Sequence, residues 1–367
     1  MIGVDLFCGA GGMTLGAKLA GIKVVFAVES DPHAAETYAA NHPKVKLFRN
    51  DIRKLKKIPV CADNVQTVLF GGPPCQGFST SNQRTRSRAN KGNWMFREFI
   101  RLANAWQPDW IVFENVKGII ETEQGAFLDM ILGGFTKIGY TVKAGKLDAA
   151  YFGVPQHRER LFVIGSRHGV ELSLPTVQVK KPIPVKVALS DLPDLENGAA
   201  VDALPYKNAN KSVYVRQLRN GKLTVSGNFV SRNAEFVIKR YKHVPQGGNW
   251  EDIPTSLMHN YRNNYECHTK IYHRLDPDKP STVIGNYRKN MLIHPSQNRG
   301  LSVREAARLQ SFPDSYEFVG SIGFQQQQVA DAVPPLLAMA VLRHLRREYR
   351  AAIRRSVAQS VVEENAA

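Results

Sequence analysis

Over its first seventy or so residues the chain alternates short, nearly unbroken apolar runs with stretches of helical spacing. "IGVDLF" (2–7), "KVVFAVE" (23–29), "VKLFRND" (45–51) and "VQTVLFGG" (65–72) have the length and β-branched content of strands. Between the first two, "GMTLGAKLAGI" has helical spacing, with Gly21 as its stop. Further strands are expected at "PDWIVFENV" (108–116) and "RLFVIGSR" (160–167), with "NWMFREFIRLANAW" (93–106) as a helix between them. Strand–helix units in succession bury both faces of each strand only by laying helices on either side of a parallel sheet. The pattern therefore predicts an α/β protein with a doubly wound, mostly parallel sheet. In such a sheet ligands bind at the carboxyl ends of the strands.

Near residue 175 the texture changes. Prolines at 175, 182, 184, 193 and 205 end the alternation, and short aromatic-rich runs separated by Gly and Asn follow. From 180 to 299 there are 19 Lys and Arg against 10 Asp and Glu, with five histidines. We read a first domain over 1–178 and a second, smaller, irregular domain with a basic surface over 179–300. Helical order returns at "LSVREAARLQSF" (301–312), where Ser302 and Glu305 have the spacing of a capping box. A long helix is expected from about Pro335. Residues 301–355 would return the chain to the first domain, and 356–367 read as a frayed tail.

With 49 Lys and Arg against 32 Asp and Glu, the net charge is +17. That excess points to an anionic partner, with nucleic acid foremost. The four cysteines, Cys8, Cys61, Cys75 and Cys267, form no CxxC pair, so neither a zinc knuckle nor a dithiol redox site is suggested. Sparse cysteine fits a reducing compartment. There is no long apolar run, and the first residues lack a signal-peptide pattern, so a soluble, cytoplasmic chain is expected, monomeric by default.

Two turns carry candidate chemistry. "DLFCGAGGMTLG" follows the first strand and opens a helix, so its glycines let backbone and helix N-terminus approach a ligand. Flavin, NAD and S-adenosylmethionine domains all have such a turn. The second strand ends in Glu29, placed to accept hydrogen bonds from ribose hydroxyls, and the third in Asp51, within reach of an adenine amino group. The second turn, "GGPPCQGFS" (71–79), holds Cys75 on a constrained corner. A thiol there is either a small packed hydrophobe or a nucleophile.

Taken in order, "DLFCGAGG" (5–12), Glu29, Asp51, "GPPCQGFS" (72–79), "ENV" (114–116), "QHRER" (156–160), "REAARLQSFP" (304–313) and "QVADAVPP" (328–335) resemble the cytosine-C5 DNA methyltransferases across nearly the whole chain. The resemblance implies an S-adenosylmethionine-dependent methyltransferase fold and double-stranded DNA as partner. It also implies methyl transfer to C5 of a flipped-out cytosine. Cys75 matches the nucleophile that adds to C6, Glu114 the acid at N3, and Arg160 the arginine at O2. Arg158 is expected to orient Glu114 or the thiolate, Asn115 neighbouring turns, and His157 to lie at the surface or on phosphate. Gln156 is expected to be structural. Phe7, Gly9, Gly11, Glu29, Asp51, Ile52, Pro74, Asp331 and Ala332 fall on the cofactor-binding motifs.

The acid-free segment after Cys75, with Ser79, Arg84, Arg86, Arg88 and Lys91, reads as a loop closing on the DNA backbone. Gln246, Asn249, Arg262, Arg288 and Lys289 have side chains able to read base edges. Two departures from the family stand out. Ala330 and Asp331 replace its Gly-Asn, placing a carboxylate near the cofactor's own. Ser30 and Asp31 follow Glu29 where the family has an aromatic, so adenine packing is expected from Phe7 and Ile52. The expected role is that of a restriction–modification methyltransferase, with a separate cognate endonuclease as a further partner. A tRNA cytosine methyltransferase and an idle sequence-specific DNA-binding protein are the alternatives. No metal is implied.

Overall fold

The computed structural model describes residues 1–62, 64–74, 94–121, 125–209, 212–258, 271–287 and 291–366. In chain order the first region contains β1 (Ile2–Leu6), α1 (Gly12–Leu19), β2 (Lys23–Glu29), α2 (Pro32–Asn41), β3 (Lys46–Arg49), β4 (Thr67–Gly71) and α3 (Phe96–Trp106). It continues with β5 (Trp110–Val116), α4 (Gly118–Glu121), α5 (Ala126–Lys137), β6 (Thr141–Asp148) and β7 (Glu159–Ser166). The seven strands form one sheet in the order β3-β2-β1-β4-β5-β7-β6. Strands β1 to β5 are parallel, and β7 runs antiparallel to both β5 and β6.

The central strands are mostly apolar because helices cover both faces, with buried Asp5, Thr67, Glu114 and Asn115 as the polar exceptions. Val4, Leu6, Val68, Leu69, Phe70, Ile111, Val112 and Phe113 are all fully buried. Helix α3 presents Phe96, Phe99, Leu102 and Ala103 to this core at helical spacing. Strand β6 was not anticipated. It is an edge strand with Lys143 and Lys146 between half-buried positions, so its apolar signal is diluted by the charges that protect an open edge.

The second region contains α6 (Val185–Leu189), β8 (Leu204–Pro205), α7 (Val213–Arg219), β9 (Thr224–Val225) and α8 (Glu235–Tyr241). The chain then forms α9 (Val303–Leu309), α10 (Ile322–Asp331) and α11 (Pro335–Ala366). The capping box is present, with Ser302 and Glu305 side chains each bonded to the other's backbone N–H. Helix α11 continues to Ala366 rather than fraying at 356, since "SVAQSVVEENA" contains neither Gly nor Pro to stop it. The expected boundary at 300/301 does not coincide with a break in the core. Ala306, Leu309 and Phe312 pack in one cluster with Val185, Leu189, Tyr214 and Leu292, so α9 completes the apolar centre of the second region. Arg308 clamps this junction, its fully buried guanidinium bonded to Asp191 and Asp314. Among the described residues, no helix is long and apolar enough to cross a membrane.

Candidate active site

The carboxyl ends of the parallel strands bring Phe7, Glu29, Asp51, Gly72 and Glu114 to one edge of the sheet. The strand order reverses between β1 and β4, and this is where a doubly wound sheet opens a crevice. The turn after β1 is left-handed at Phe7 (φ 60°), Gly9 (φ 54°) and Gly11 (φ 94°). Glu29 holds it from the neighbouring strand end: its carboxylate accepts from the Gly9 N–H at 2.8 Å and from the Ser30 and Asp31 N–H groups at 2.7 Å each. Burial pushes the Glu29 carboxyl up, against these donors.

The turn is also braced by a residue three hundred positions away. The Tyr316 hydroxyl donates to the Ala10 carbonyl and lies 3.1 Å from His42 Nε2, which is 3.4 Å from the Gly11 carbonyl. Lys18 Nζ sits 2.8 Å from His42 Nδ1, making that nitrogen the acceptor. A Cβ at Gly11 would lie 2.6 Å from both the His42 and Tyr316 polar atoms, so the inner side of the turn is closed. A Cβ at Gly9 would meet nothing within 4 Å, so the other side is open. That open space beside a half-buried carboxylate fits an adenosyl cofactor.

Asp51 caps the short turn Ile52–Lys54, and its oxygens are taken by the Arg53 backbone and guanidinium. Arg53 draws its carboxyl down to about 2, so it stays ionised. The Ile52 side chain is buried in the apolar cluster that Phe7 also touches.

Glu114, near the end of β5, is buried, and its Oε1 lies 3.1 Å from Arg160 Nε on the adjacent antiparallel strand. Burial raises the Glu114 carboxyl pKa, opposed by Arg160 and then Arg158. Gly72 makes room for this acid: a Cβ there would fall 2.5 Å from Glu114 Oε2. Asn115 donates to the Pro73 carbonyl at 3.3 Å and accepts from the Val116 N–H at 2.8 Å, tying the end of β5 to the Gly-Pro-Pro turn. Pro74 is exposed at the end of that turn. Neither the need for Gly at 72 nor the Tyr316–His42 brace was anticipated; only the adjacency of "GG" to "PP" hinted at the first.

Arg158 was expected to orient Glu114 or the thiolate. Cys75 lies outside the described residues, and among those residues Arg158 acts on Glu114 through its charge while its hydrogen bonds go elsewhere. Its buried guanidinium donates to Ile284 O at 3.0 Å, Ala330 O at 2.8 Å and Ala332 O at 3.1 Å. The end of α10 leaves orphan carbonyls, and the guanidinium fork supplies the N–H donors they need. Arg158 Nε has no partner among the described residues. Gln156 is similarly structural, bridging Leu309 O, Gln310 and the Ile284 N–H. His157 lies half-exposed at the surface, 2.7 Å from Asp148.

Asp331 accepts from Gln327 Nε2 through both oxygens at 2.8 Å, so its carboxylate turns back along the outer side of α10. The atoms packed around it push its pKa up, opposed by Gln327, Arg158 and Arg160, although its outer side meets solvent. Ala332 follows as the buried C-cap. In the second region Gln246 donates to the Pro295 carbonyl at 3.3 Å, and Asn249 caps the turn Trp250–Asp252, so both side chains serve the local fold. Cys75, Ser79, Arg84, Arg86, Arg88, Lys91, Arg262, Arg288 and Lys289 lie outside the described residues.

A seven-stranded, mostly parallel sheet with an antiparallel β7 and a glycine-rich turn after β1 is the fold of S-adenosylmethionine-dependent methyltransferases. Residues 1–347 match the family of C-5 cytosine-specific DNA methylases, and the chain belongs to that family. It is therefore an enzyme that acts on DNA and methylates cytosine at C5, and family and fold imply S-adenosylmethionine as its methyl donor.

Two curated relatives illustrate the similarity. The chain is 36% identical over 348 residues to the Type II methyltransferase M1.HphI of Haemophilus parahaemolyticus, covering 92% of this chain and 84% of that one. It is 33% identical to the Type II methyltransferase M.DdeI of Desulfomicrobium norvegicum, covering 92% and 86%. Among solved structures, a prophage-encoded protein of Escherichia coli assigned as a DNA modification methyltransferase superposes with a TM-score of 0.76 at 25% identity, covering 95% of this chain and 99% of that one.

Proposed function

We propose that this enzyme is the modification methyltransferase of a Type II restriction–modification system, using Cys75 as its nucleophile. The similarity to the two Type II enzymes supports the biological setting, and it implies a cognate endonuclease as a separate partner. The chain would act as a cytoplasmic monomer.

The observation that carries the catalytic reading is the buried Glu114–Arg160 pair, held 3.1 Å apart beside the Gly72-Pro73-Pro74 turn that leads directly into Cys75. Cytosine C5 is a weak nucleophile. Addition of the Cys75 thiolate to C6 of an everted cytosine loads negative charge onto N3 and O2 and makes C5 an enamine carbon. Glu114, whose carboxyl is raised by burial, can hold a proton at N3. Arg160 faces the same site and can hold the charge developing at O2. After transfer, water or hydroxide removes the C5 proton and Cys75 leaves C6.

Bound S-adenosylmethionine supplies an electrophilic methyl group. Gly9 and Gly11 would let the backbone approach it, Glu29 would face its ribose, and Asp51 its adenine amino group. Phe7 and Ile52 would pack on the adenine, and Pro74, Asp331 and Ala332 would border its methionine end. In the closing loop, Ser79, Arg84, Arg86, Arg88 and Lys91 would clamp the DNA backbone, with Arg288 and Gln246 toward the recognised bases. For Gln246 this requires release from Pro295.

The test is Cys75→Ser with radiolabelled cofactor. We expect at least a 1,000-fold lower methylation rate, on the order of a lost nucleophile, and no covalent trapping on 5-fluorocytosine DNA. Undiminished label transfer would refute the role. Bisulfite sequencing of a plasmid expressing the chain would give the target sequence.

A further inference from the structure

We propose that the arginine face of α11 is a second, sequence-independent contact surface for duplex DNA, on the edge of the sheet remote from the active site. The inference uses the established DNA substrate and none of the residue roles proposed above.

Helix α11 begins beside the start of α1, where a Cβ at Gly12 would lie 2.3 Å from Val333 O and one at Gly16 2.5 Å from the Ala338 Cβ. It then runs along α1, away from the carboxyl edge. Arg343 Nη2 donates to Leu19 O at 3.3 Å, and Arg346 donates to Ala20 O. One turn further, Tyr349 packs edge-on against Trp110, the first residue of β5. Residues 343–350 therefore sit at the amino edge, opposite Glu29 and Glu114. There α11 and Leu19–Gly21 enclose an open groove of about 360 Å³ lined by Arg343, Arg346, Arg347 and Arg350.

The four arginines divide by role. Arg343 and Arg346 satisfy the last carbonyls of α1, as cations at a helix C-terminus do. Arg347 and Arg350 are exposed, and among the described residues neither has an ion pair or a hydrogen bond. The one acid between 343 and 355 is Glu348, which lies 3.7 Å from His344. The sequence adds Arg354 and Arg355 in the next turn of the same helix. Like charges one turn apart, as in Arg343–Arg347 and Arg346–Arg350, oppose helix formation, and among the described residues no ion pair or hydrogen bond of Arg347 or Arg350 offsets this.

Duplex DNA is the occupant the chemistry fits. It presents a phosphate charge about every 1.7 Å, and guanidinium forks match phosphate oxygens. A strand of five to seven residues spans about 20 Å, which separates this groove from the catalytic edge. A short duplex engaged at the catalytic edge would leave the groove empty, whereas long DNA offers it a separate stretch of duplex. The groove would then hold the enzyme on long DNA between target sites.

The test uses the full chain with Arg347→Gln and Arg350→Gln combined. Methylation of a duplex of about 16 base pairs carrying the target should be unchanged. Affinity for long DNA lacking the target should fall about three- to tenfold, with a salt slope shallower by up to about 1.8, the share of two phosphate contacts. The corresponding double lysine variant should retain most of the affinity. Unchanged affinity and slope on long DNA would overturn the proposal. So would an equal loss on short and long DNA, or a changed oligomeric state with unchanged DNA binding, which would assign the face to a second copy.

Discussion

Gly72 and Glu114 show how narrowly one atom is accommodated. With 2.5 Å between a would-be Cβ and Glu114 Oε2, Gly72→Ala must shift the carboxyl group that Arg160 holds through Oε1. We expect at least a tenfold fall in kcat with DNA affinity unchanged, measured by single-turnover methylation and DNA binding. The raised Glu114 pKa keeps more of the acid protonated near neutrality, so the rate of the methylation step should fall as pH rises through that pKa. Glu114→Gln, which cannot titrate, should lose this limb of the pH profile along with most of its rate. Asp331 is the other residue with a sharp outcome. Its carboxylate is held by Gln327 and faces partial compensation from Arg158 and Arg160. Asp331→Asn should therefore tighten S-adenosylmethionine binding only about three- to tenfold by calorimetry, up to about 1.4 kcal/mol. No tightening would mean that this carboxylate does not oppose the cofactor.

At the scale of elements, the glycine-rich turn depends on chain far from it. Tyr316→Phe leaves the Ala10 carbonyl and His42 without their shared hydroxyl, a loss of about 1–3 kcal/mol for buried polar groups. If the brace positions the turn, KM for S-adenosylmethionine should rise while KM for DNA stays constant. A change confined to thermal stability would reduce the brace to packing. "DLFCGAGG" was legible as a ligand-binding turn, because glycine pattern and strand position are local. Its partners Lys18, His42 and Tyr316 were not, since nothing local relates residue 316 to residue 10. The partners of Arg158 were hidden for the same reason: nothing local in "QHRER" points to the carbonyls at 284, 330 and 332 that take its donors.

Across the whole molecule, two buried histidines should shape acid stability. Burial, with Lys18 nearby, lowers His42 to about 4. Burial lowers His294 to about 4 as well, against the pull of Glu305. The unfolded chain takes up these protons near pH 6.5, so below that pH it binds more protons than the folded chain. Stability contributed by the neutral imidazoles is full above about 6.5 and is lost as pH falls toward 4, by up to about 3 kcal/mol for each. Urea denaturation at several pH values should show this decline, and His294→Gln should remove about half of it.

Period and composition were enough to reveal the alternating strands and helices, the capping box at Ser302, the basic charge and the order of the family motifs. Each of these is a property of neighbouring residues or of a sum over the chain. Which carbonyls Arg158 satisfies, why residue 72 has no side chain, and how α9 joins the second region's core emerged only with the packed molecule. So did the opposite placement of the α11 arginines and the catalytic edge. These depend on distances between residues tens to hundreds of positions apart, and such distances exist only once the sheet has ordered its strands and the core has closed around them.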